Sequence, residues 1–330
     1  MKAQRGNQIW VRALMGLMIS AWALPSFALD AETKSRILDT RNCKACRLQG
    51  ETLTGLDLRS VLFEHADMRN MRLAGRDLSR AGFKGANLTG VDFTGANLSE
   101  ADFSEADLTG AKLQGANLRG AIFVDARLVK ADLRDADFKG AQLNGAKLMQ
   151  ARLPGAKLGE ANFFETDLSG TDLKGQVLIG LDLASSILKG ADLTGVNLSR
   201  ANLDSVDLRG ANLSMALLLE ANFTGAQMEG ARLKRANLSH ANLMSARCDK
   251  ADFSHANLQR VNALGASFVN ADLRGARLMD ADLTQAKFRN ANLEGMLIKG
   301  ASVCESDLPP ALKKMGSCAE ASFITDVDDL

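Results

Sequence analysis

Large apolar residues recur at every fifth position of this chain, and the phase holds from Leu48 to Leu308 without an insertion or deletion. Each of these positions holds Leu, Phe, Met, Ile or Val, apart from Cys248 and Ala263. Two residues earlier in the unit stands Ala in most cases. The residue between them is usually Asp or Asn, as in Ala101-Asp102-Phe103 and Ala116-Asn117-Leu118. Gly keeps the same register, mostly two positions after the large apolar residue. A period of five fits neither a helix of 3.6 residues per turn nor a long strand of period two. It fits a short strand followed by a corner. Strand side chains alternate, so Ala and the large residue both face inward and the polar residue between them faces out. The next two residues turn the chain, and Gly relieves the steric limits of a tight bend there. Four such sides, each one unit long, close a coil, and successive coils stack through backbone hydrogen bonds. Alternating small Ala with large Leu or Phe fills each layer without a void.

With that pattern, A(D/N)LXX, the chain resembles the pentapeptide-repeat family over nearly all of residues 48–308. The resemblance implies an all-β fold, a right-handed quadrilateral β-helix. About 13 coils at roughly 4.8 Å each would make a rod about 60 Å long. The run Leu38-Asp39-Thr40-Arg41-Asn42-Cys43-Lys44-Ala45-Cys46 is similar to the lead-in segment of some exported members.

A solenoid needs covers at both ends. Residues 29–47 read as an N-terminal cap. Asp30 would cap a short helix over Ala31 to Arg41, with Ile37 and Leu38 facing the first coil. Residues 309–330 read as the C-terminal cap and tail. Pro309-Pro310 stops the repeat, a turn or two of helix spans Ala311 to Met315, Gly316 closes it, and Asp326 to Leu330 fray.

Residues 1–28 have the form of a secretory signal: Lys2, Arg5 and Arg12, then an uncharged, mostly apolar run from Ala13 to Leu24, then Ser26-Phe27-Ala28 as a cleavage site. The run is too short to span a bilayer. Cleavage after Ala28 removes three basic residues and no acid, leaving 37 basic against 39 acidic residues. The expected location is periplasmic or secreted, with no membrane span after cleavage. A near-neutral chain has neither the positive field of a nucleic-acid binder nor the charge of a strong anionic mimic. Tyr is absent and both Trp residues, Trp10 and Trp22, leave with the signal. A narrow core takes Leu and Phe but has no partner for a buried phenol or indole N–H.

An exported chain permits disulfides. The expected pairs are Cys43–Cys46 and Cys304–Cys318, each fastening one end, with Cys248 as a small buried residue in an inward position. A redox role for Cys43-x-x-Cys46 lacks the strand-to-helix context such a site needs. A zinc site of Cys43, Cys46 and His65, one coil on, lacks a fourth ligand. The scattered Asp residues do not gather the six oxygens calcium takes, and bonding to the adjacent turn explains them better. No catalytic motif is present, so the chain is read as no enzyme, with no cofactor and no metal.

Thr166, Thr171, Gln176, Leu181 and Ser186 replace the inward Ala in five consecutive units, and Val177 and Ile187 replace the outward Asp or Asn. Counting by 20 puts Val177 and Ile179 on the same side as Leu217 and Leu219, with Met279 and Leu297 further along. That row is a possible docking strip for a protein partner or a second copy, the C-terminal cap being the other candidate for self-association. The expected function is a non-catalytic scaffold in the envelope, rigid and protein-binding or structural. Two alternatives follow from the resemblance and the cysteines. One is mimicry of DNA toward a topoisomerase, which some family members practise with a strongly negative surface in the cytoplasm. The other is a cell-envelope enzyme built on Cys43 and Cys46.

Overall fold

A computed structural model of the protein describes residues 29–318 apart from Thr52 and Met315. The expected signal and the frayed tail lie outside the described residues. The described chain starts with a helix, α1 (Ala31–Thr40). The Asp30 carboxylate accepts from the Thr33 N–H at 2.8 Å, which fixes the start, and Arg41 ends the helix in the left-handed conformation. Ile37 is buried against the first coil. Leu38, expected beside it, is exposed instead. Consecutive helical residues diverge by about 100°, so a single narrow contact takes only one of them.

From Asn42 onward the chain winds in coils of four units. Parallel pairing links Asn42 to Leu62, Leu62 to Gly82, and so on to Ser302. This defines side 1 of the coil. Arg47, Asp67 and Asn87 begin side 2, Arg72 and Asp92 lie on side 3, and Asp77 and Asn97 lie on side 4. Each pairing is a single-residue bridge rather than an extended strand. The corners follow one another so closely that there is no length for more.

One unit shows why every fifth residue repeats. Ala96 N–H closes the preceding corner on the Phe93 carbonyl at 2.9 Å, and Asn97 N–H reaches down a coil to Arg76 O at 2.9 Å. Leu98 and Glu100 donate up a coil, to Asn117 O at 2.8 Å and Arg119 O at 2.9 Å. The fifth amide, Ser99 N–H, is taken by the Asn97 side-chain oxygen at 3.3 Å. That last bond is the reason for Asp or Asn at the outward position, as expected from the sequence. It recurs at Asp77–Ser79, Asp92–Thr94 and Asp107–Thr109. All five backbone donors are thus satisfied, as buried amides require.

The corner residue, two after the large apolar one, has positive φ throughout. Gly supplies it at many corners, yet Arg80, Glu100, Asp125, His240 and Lys250 adopt it too, with φ of 56–62°. The bend therefore tolerates ordinary residues as well as the Gly that relieves its steric limits. At Gly145 and Gly155 a more local reason applies. An added Cβ would collide with the carboxylate of Asp125 or Asp135 one coil below.

Inside, Ala and the large residues are almost completely buried along the rod. Phe63, Phe83, Phe103 and Phe123 stack in a column on side 1 with centroids 5.3, 4.9 and 4.8 Å apart, close to the coil rise. Polar donors at inward positions follow a common rule, each donating to the carbonyl of a large apolar residue, while the Glu51 carboxylate at such a position keeps one buried oxygen without a partner. Thr171, Ser186 and Ser306 use a carbonyl in their own coil, from Leu168, Leu183 and Val303. Arg76, Thr166 and Gln176 use one in the coil below, from Leu53, Leu143 and Leu153. At the far end α2 (Pro310–Lys313) leads back to Ser317, which pairs with Ser302. Gly316, expected to close a helix, has no left-handed backbone to supply there. It is required because a Cβ would lie 2.7 Å from the Ala301 carbonyl.

Leu133 is fully buried at a large inward position. Replacement by Lys should destabilise the fold by at least about 3 kcal/mol, since an unpaired charge would lie between coils. Thermal or denaturant melting followed by circular dichroism measures it; a variant that melts like the parent would show the inward phase to be misassigned.

Candidate interaction face

The outward residues of each side stand in rows set by the coil register, so a side is read by counting. On side 4 the bridges run Val177–Asn197–Leu217. Val177 is 65% exposed, Ile179 57% and Leu217 46%. Leu219 and Met279 are half-buried, so they add less apolar surface than the sequence suggests, while Leu297 near the end of the row is exposed. The row is not continuous. The coil between the two apolar pairs presents Asn197 and Ser199, joined to each other by a 2.7 Å hydrogen bond. Two coils put Val177 and Leu217 about 10 Å apart. Beside them Arg200 and Glu220 form an ion pair at 2.9 Å along the same corner. Of the other exposed apolar residues of the coils, Leu62 and Phe164 lie on side 1, Ile187 on side 2 and Met215 at the corner that ends side 3, so side 4 alone gathers several in register.

The charged residues are organised locally. Asp67, Asp132, Asp207 and Asp272 each receive the guanidinium of the Arg two residues on, at 2.5–2.7 Å. Those hydrogen bonds hold the four carboxyls below the usual carboxylate range. Asp57, clasped by both Arg59 and Arg41, is lowered furthest. This Asp-x-Arg clasp spans the outward position and the first corner residue, and the motif is visible in the sequence, though it was not singled out there.

Cys43 and Cys46 have Cα atoms 5.3 Å apart and sulfurs within bonding distance, and Cys304 and Cys318 are placed likewise at 5.0 Å. Both Cys43 and Cys46 are buried, which denies them the access a thiol-exchange centre needs. The His65 ring lies over the corner at Gly85, one coil above, and His255 covers Gly275 in the same way. Cys248 is fully buried 3.9 Å from the Met228 sulfur, and burial pushes its thiol up. Among the described residues no group of three His, Cys, Asp or Glu side chains is disposed to hold a metal, and no helix is long and apolar enough to cross a membrane.

Arg76 is a residue that sequence reasoning passed over. It occupies an inward position where Ala is usual, and its guanidinium reaches the Leu53 and Leu56 carbonyls at 3.1 and 2.7 Å. A charged residue at that place in the repeat was the available signal.

Comparison with known proteins places these features. The family model for pentapeptide repeats matches residues 77–115, 111–150, 141–175, 177–214, 221–260 and 256–295. The match comprises eight copies of the repeat, and no catalytic family is indicated. No curated protein matches the chain. Among solved structures, HetL, a pentapeptide repeat protein involved in heterocyst differentiation regulation from the cyanobacterium Nostoc sp. strain PCC 7120, is 29% identical, covers 75% of this chain and 90% of its own, and has a TM-score of 0.24. The pentapeptide repeat protein Rfr23 from the cyanobacterium Cyanothece 51142 is 28% identical over 38% of this chain and 92% of its own, with a TM-score of 0.26. QnrB1, a plasmid-mediated fluoroquinolone resistance protein, is 19% identical over 63% of this chain and 93% of its own, with a TM-score of 0.34.

The clasped carboxyls fix the direction of acid sensitivity. Their folded-state values lie below the unfolded one, about 3.9, so their stabilisation is complete above that value and is lost as pH falls through the lower folded values. The melting temperature should be level from pH 7 to about pH 5 and fall below about pH 4. Melts across that range provide the measurement, and a midpoint indifferent to acid would remove the clasps from the account.

Proposed function

The chain belongs to the pentapeptide-repeat family, and from that premise we propose that it is a non-catalytic scaffold of the cell envelope, exported and protein-binding. The family membership carries a right-handed β-helix. In this reading it is a quadrilateral rod of about 13 coils and about 60 Å, closed by short helical caps and tied at its ends by disulfides Cys43–Cys46 and Cys304–Cys318. Export follows from the basic, apolar and small-residue order of residues 1–28, with cleavage after Ala28.

The observation that carries the binding role is the row on side 4. Val177, Ile179 and Leu217 are exposed in register on a surface whose outward places are otherwise mostly polar. Changing an outward residue leaves the Ala and Leu core untouched, so a solenoid can vary such a row without loss of fold. Isolated exposed apolar residues are ordinary, and a row of them on one side marks an interaction site. The partner is a protein or a second copy, meeting the row through apolar contacts flanked by the Arg200–Glu220 pair.

Two measurements test this. Proximity labelling from the chain in its native envelope should mark a defined set of proteins, and the Val177→Asp, Leu217→Lys double variant should lose most of that set while melting like the parent. Light scattering gives the corresponding answer for a second copy; unchanged association by both methods removes side 4 as the docking face. Separately, the intact mass of the secreted chain should correspond to a start at Leu29, and a start at Met1 would refute export by a cleaved signal.

A further inference from the structure

We infer that the rod is jointed: at two places, marked by Arg76 and Gln176, it opens along side 4 while sides 1 and 2 stay closed. Sides 1 and 2 are paired at every coil step from Asn42 to Ser302 and from Arg47 to Lys287, and side 3 from Arg72 to Asn292. Side 4 is paired from Asp77 to Lys157 and again from Val177 to Leu297, and the step from Lys157 to Val177 is missing. The step from Asp57 to Asp77 is missing as well. Both gaps fall immediately after a long polar side chain in the inward position, Arg76 in one case and Gln176 in the other.

The backbone bonds give the extent of each opening. Around Gln176, the regular upward donors Gly155, Leu158 and Glu160 have no backbone acceptor, and neither does the downward donor Val177, whereas side 3 keeps its Arg152–Asp172 pairing. Around Arg76 the same holds for Gly55 and Leu58, and for Asp77. In place of these bonds, Gln176 Nε2 donates to Leu153 O at 3.0 Å, and Arg76 donates to Leu53 O and Leu56 O. Reaching into the lower coil is not enough by itself, since Thr166 donates to Leu143 O while Asp167 still pairs with Ala146 O at 2.9 Å; the longer stems of Gln176 and Arg76 lie between the two coils at this corner, where Ala leaves room for a closed ladder. Length alone does not do this. Met296 stands at the same corner and carries no donor, and Leu297 beside it still pairs with Ala276 O at 3.0 Å. The longer Arg76 leaves a cavity of about 520 Å³ between Glu51, Leu53, Arg72 and its own stem. The core beside the Gln176 joint holds only a void of about 10 Å³, lined by Leu158, Leu173 and Leu178 among others, no larger than one water needs.

In a solenoid each coil contacts only its neighbours, so an interface that has lost one side of its ladder is a local weak point and not a defect of the whole. The apolar row at Val177 lies entirely above the Gln176 joint, so it moves as part of one segment.

Amide hydrogen exchange resolved by residue tests the inference on the intact chain. Leu158 and Val177 should exchange at least about tenfold faster than Leu198 and Leu217, their paired equivalents two coils along the same side. Gln176→Ala restores the usual residue and should slow Leu158 and Val177 toward that level. Gln176→Met, which keeps the length and removes the donor, should do the same. Equal protection at all four amides in the parent, or rates that neither substitution changes, would overturn the joint. A second readout keeps motion separate from exchange: spin labels at positions 139 and 199, spanning the joint on side 4, should give a broader distance distribution than labels at 199 and 259, with Gln176→Ala narrowing it. Identical widths in the parent would count against a hinge.

Discussion

Between successive coils each regular unit sends one backbone N–H down and two up, and this parallel pairing, always one full coil apart, sets the terms for the rest of the molecule. Adding or removing one residue would bring the Ala and Leu positions to the outside of every later side, because alternate residues face opposite ways. Hence the phase holds through every unit from Leu48 to Leu308. The outward Asp or Asn belongs to the same constraint. It accepts the one N–H that the corner leaves without a backbone partner, so its prevalence records hydrogen-bond satisfaction and not a charge requirement.

The left-handed corners add a cost. A non-Gly residue in that region is disfavoured by about 1–2 kcal/mol, and Arg, Glu, Asp, Ser and His all occupy corners here. They are held there by the turn bond before the next Ala and by the upward bond from the corner N–H, as at Ala101 and Glu100. Stacking then couples corners one coil apart. Where Asp125, Asp135 or His65 folds over the next corner, that corner is Gly145, Gly155 or Gly85. Part of the Gly content thus depends on the neighbour below.

The core was legible in the sequence because a period of five leaves one self-consistent inward set, and Ala and Leu fill it with few exceptions. The N-cap at Asp30, the burial of Cys248 and the shared side of Val177 and Leu217 were legible for related local or arithmetic reasons. What escaped depended on distances that periodicity does not encode. Leu38 lies outside because the helix meets the coil along one residue's width. Gly316 is set by the approach of Ala301, a contact between the C-terminal cap and the last coil. Leu219 is partly covered although it occupies the same place in its unit as the exposed Ile179. Gln176 was visible as a substitution, but whether an inward polar group bonds within its own coil, as Thr171 does, or reaches into the one below is decided by its length and by the corner it stands on.

That corner links the two joints. Arg76 and Gln176 differ by five whole coils, so they occupy the same position around the rod and both interrupt side 4. Openings at unrelated corners would bend the rod in unrelated directions and their effects would partly cancel. Openings at one corner, with sides 1 and 2 closed in both, curve it in a single plane, with side 4 on the side that lengthens. The exposed Val177 and Ile179 stand at the lip of the second opening, on the upper coil. A partner docked there and on the coil below would therefore report on, and set, the angle between two segments whose cores remain closed.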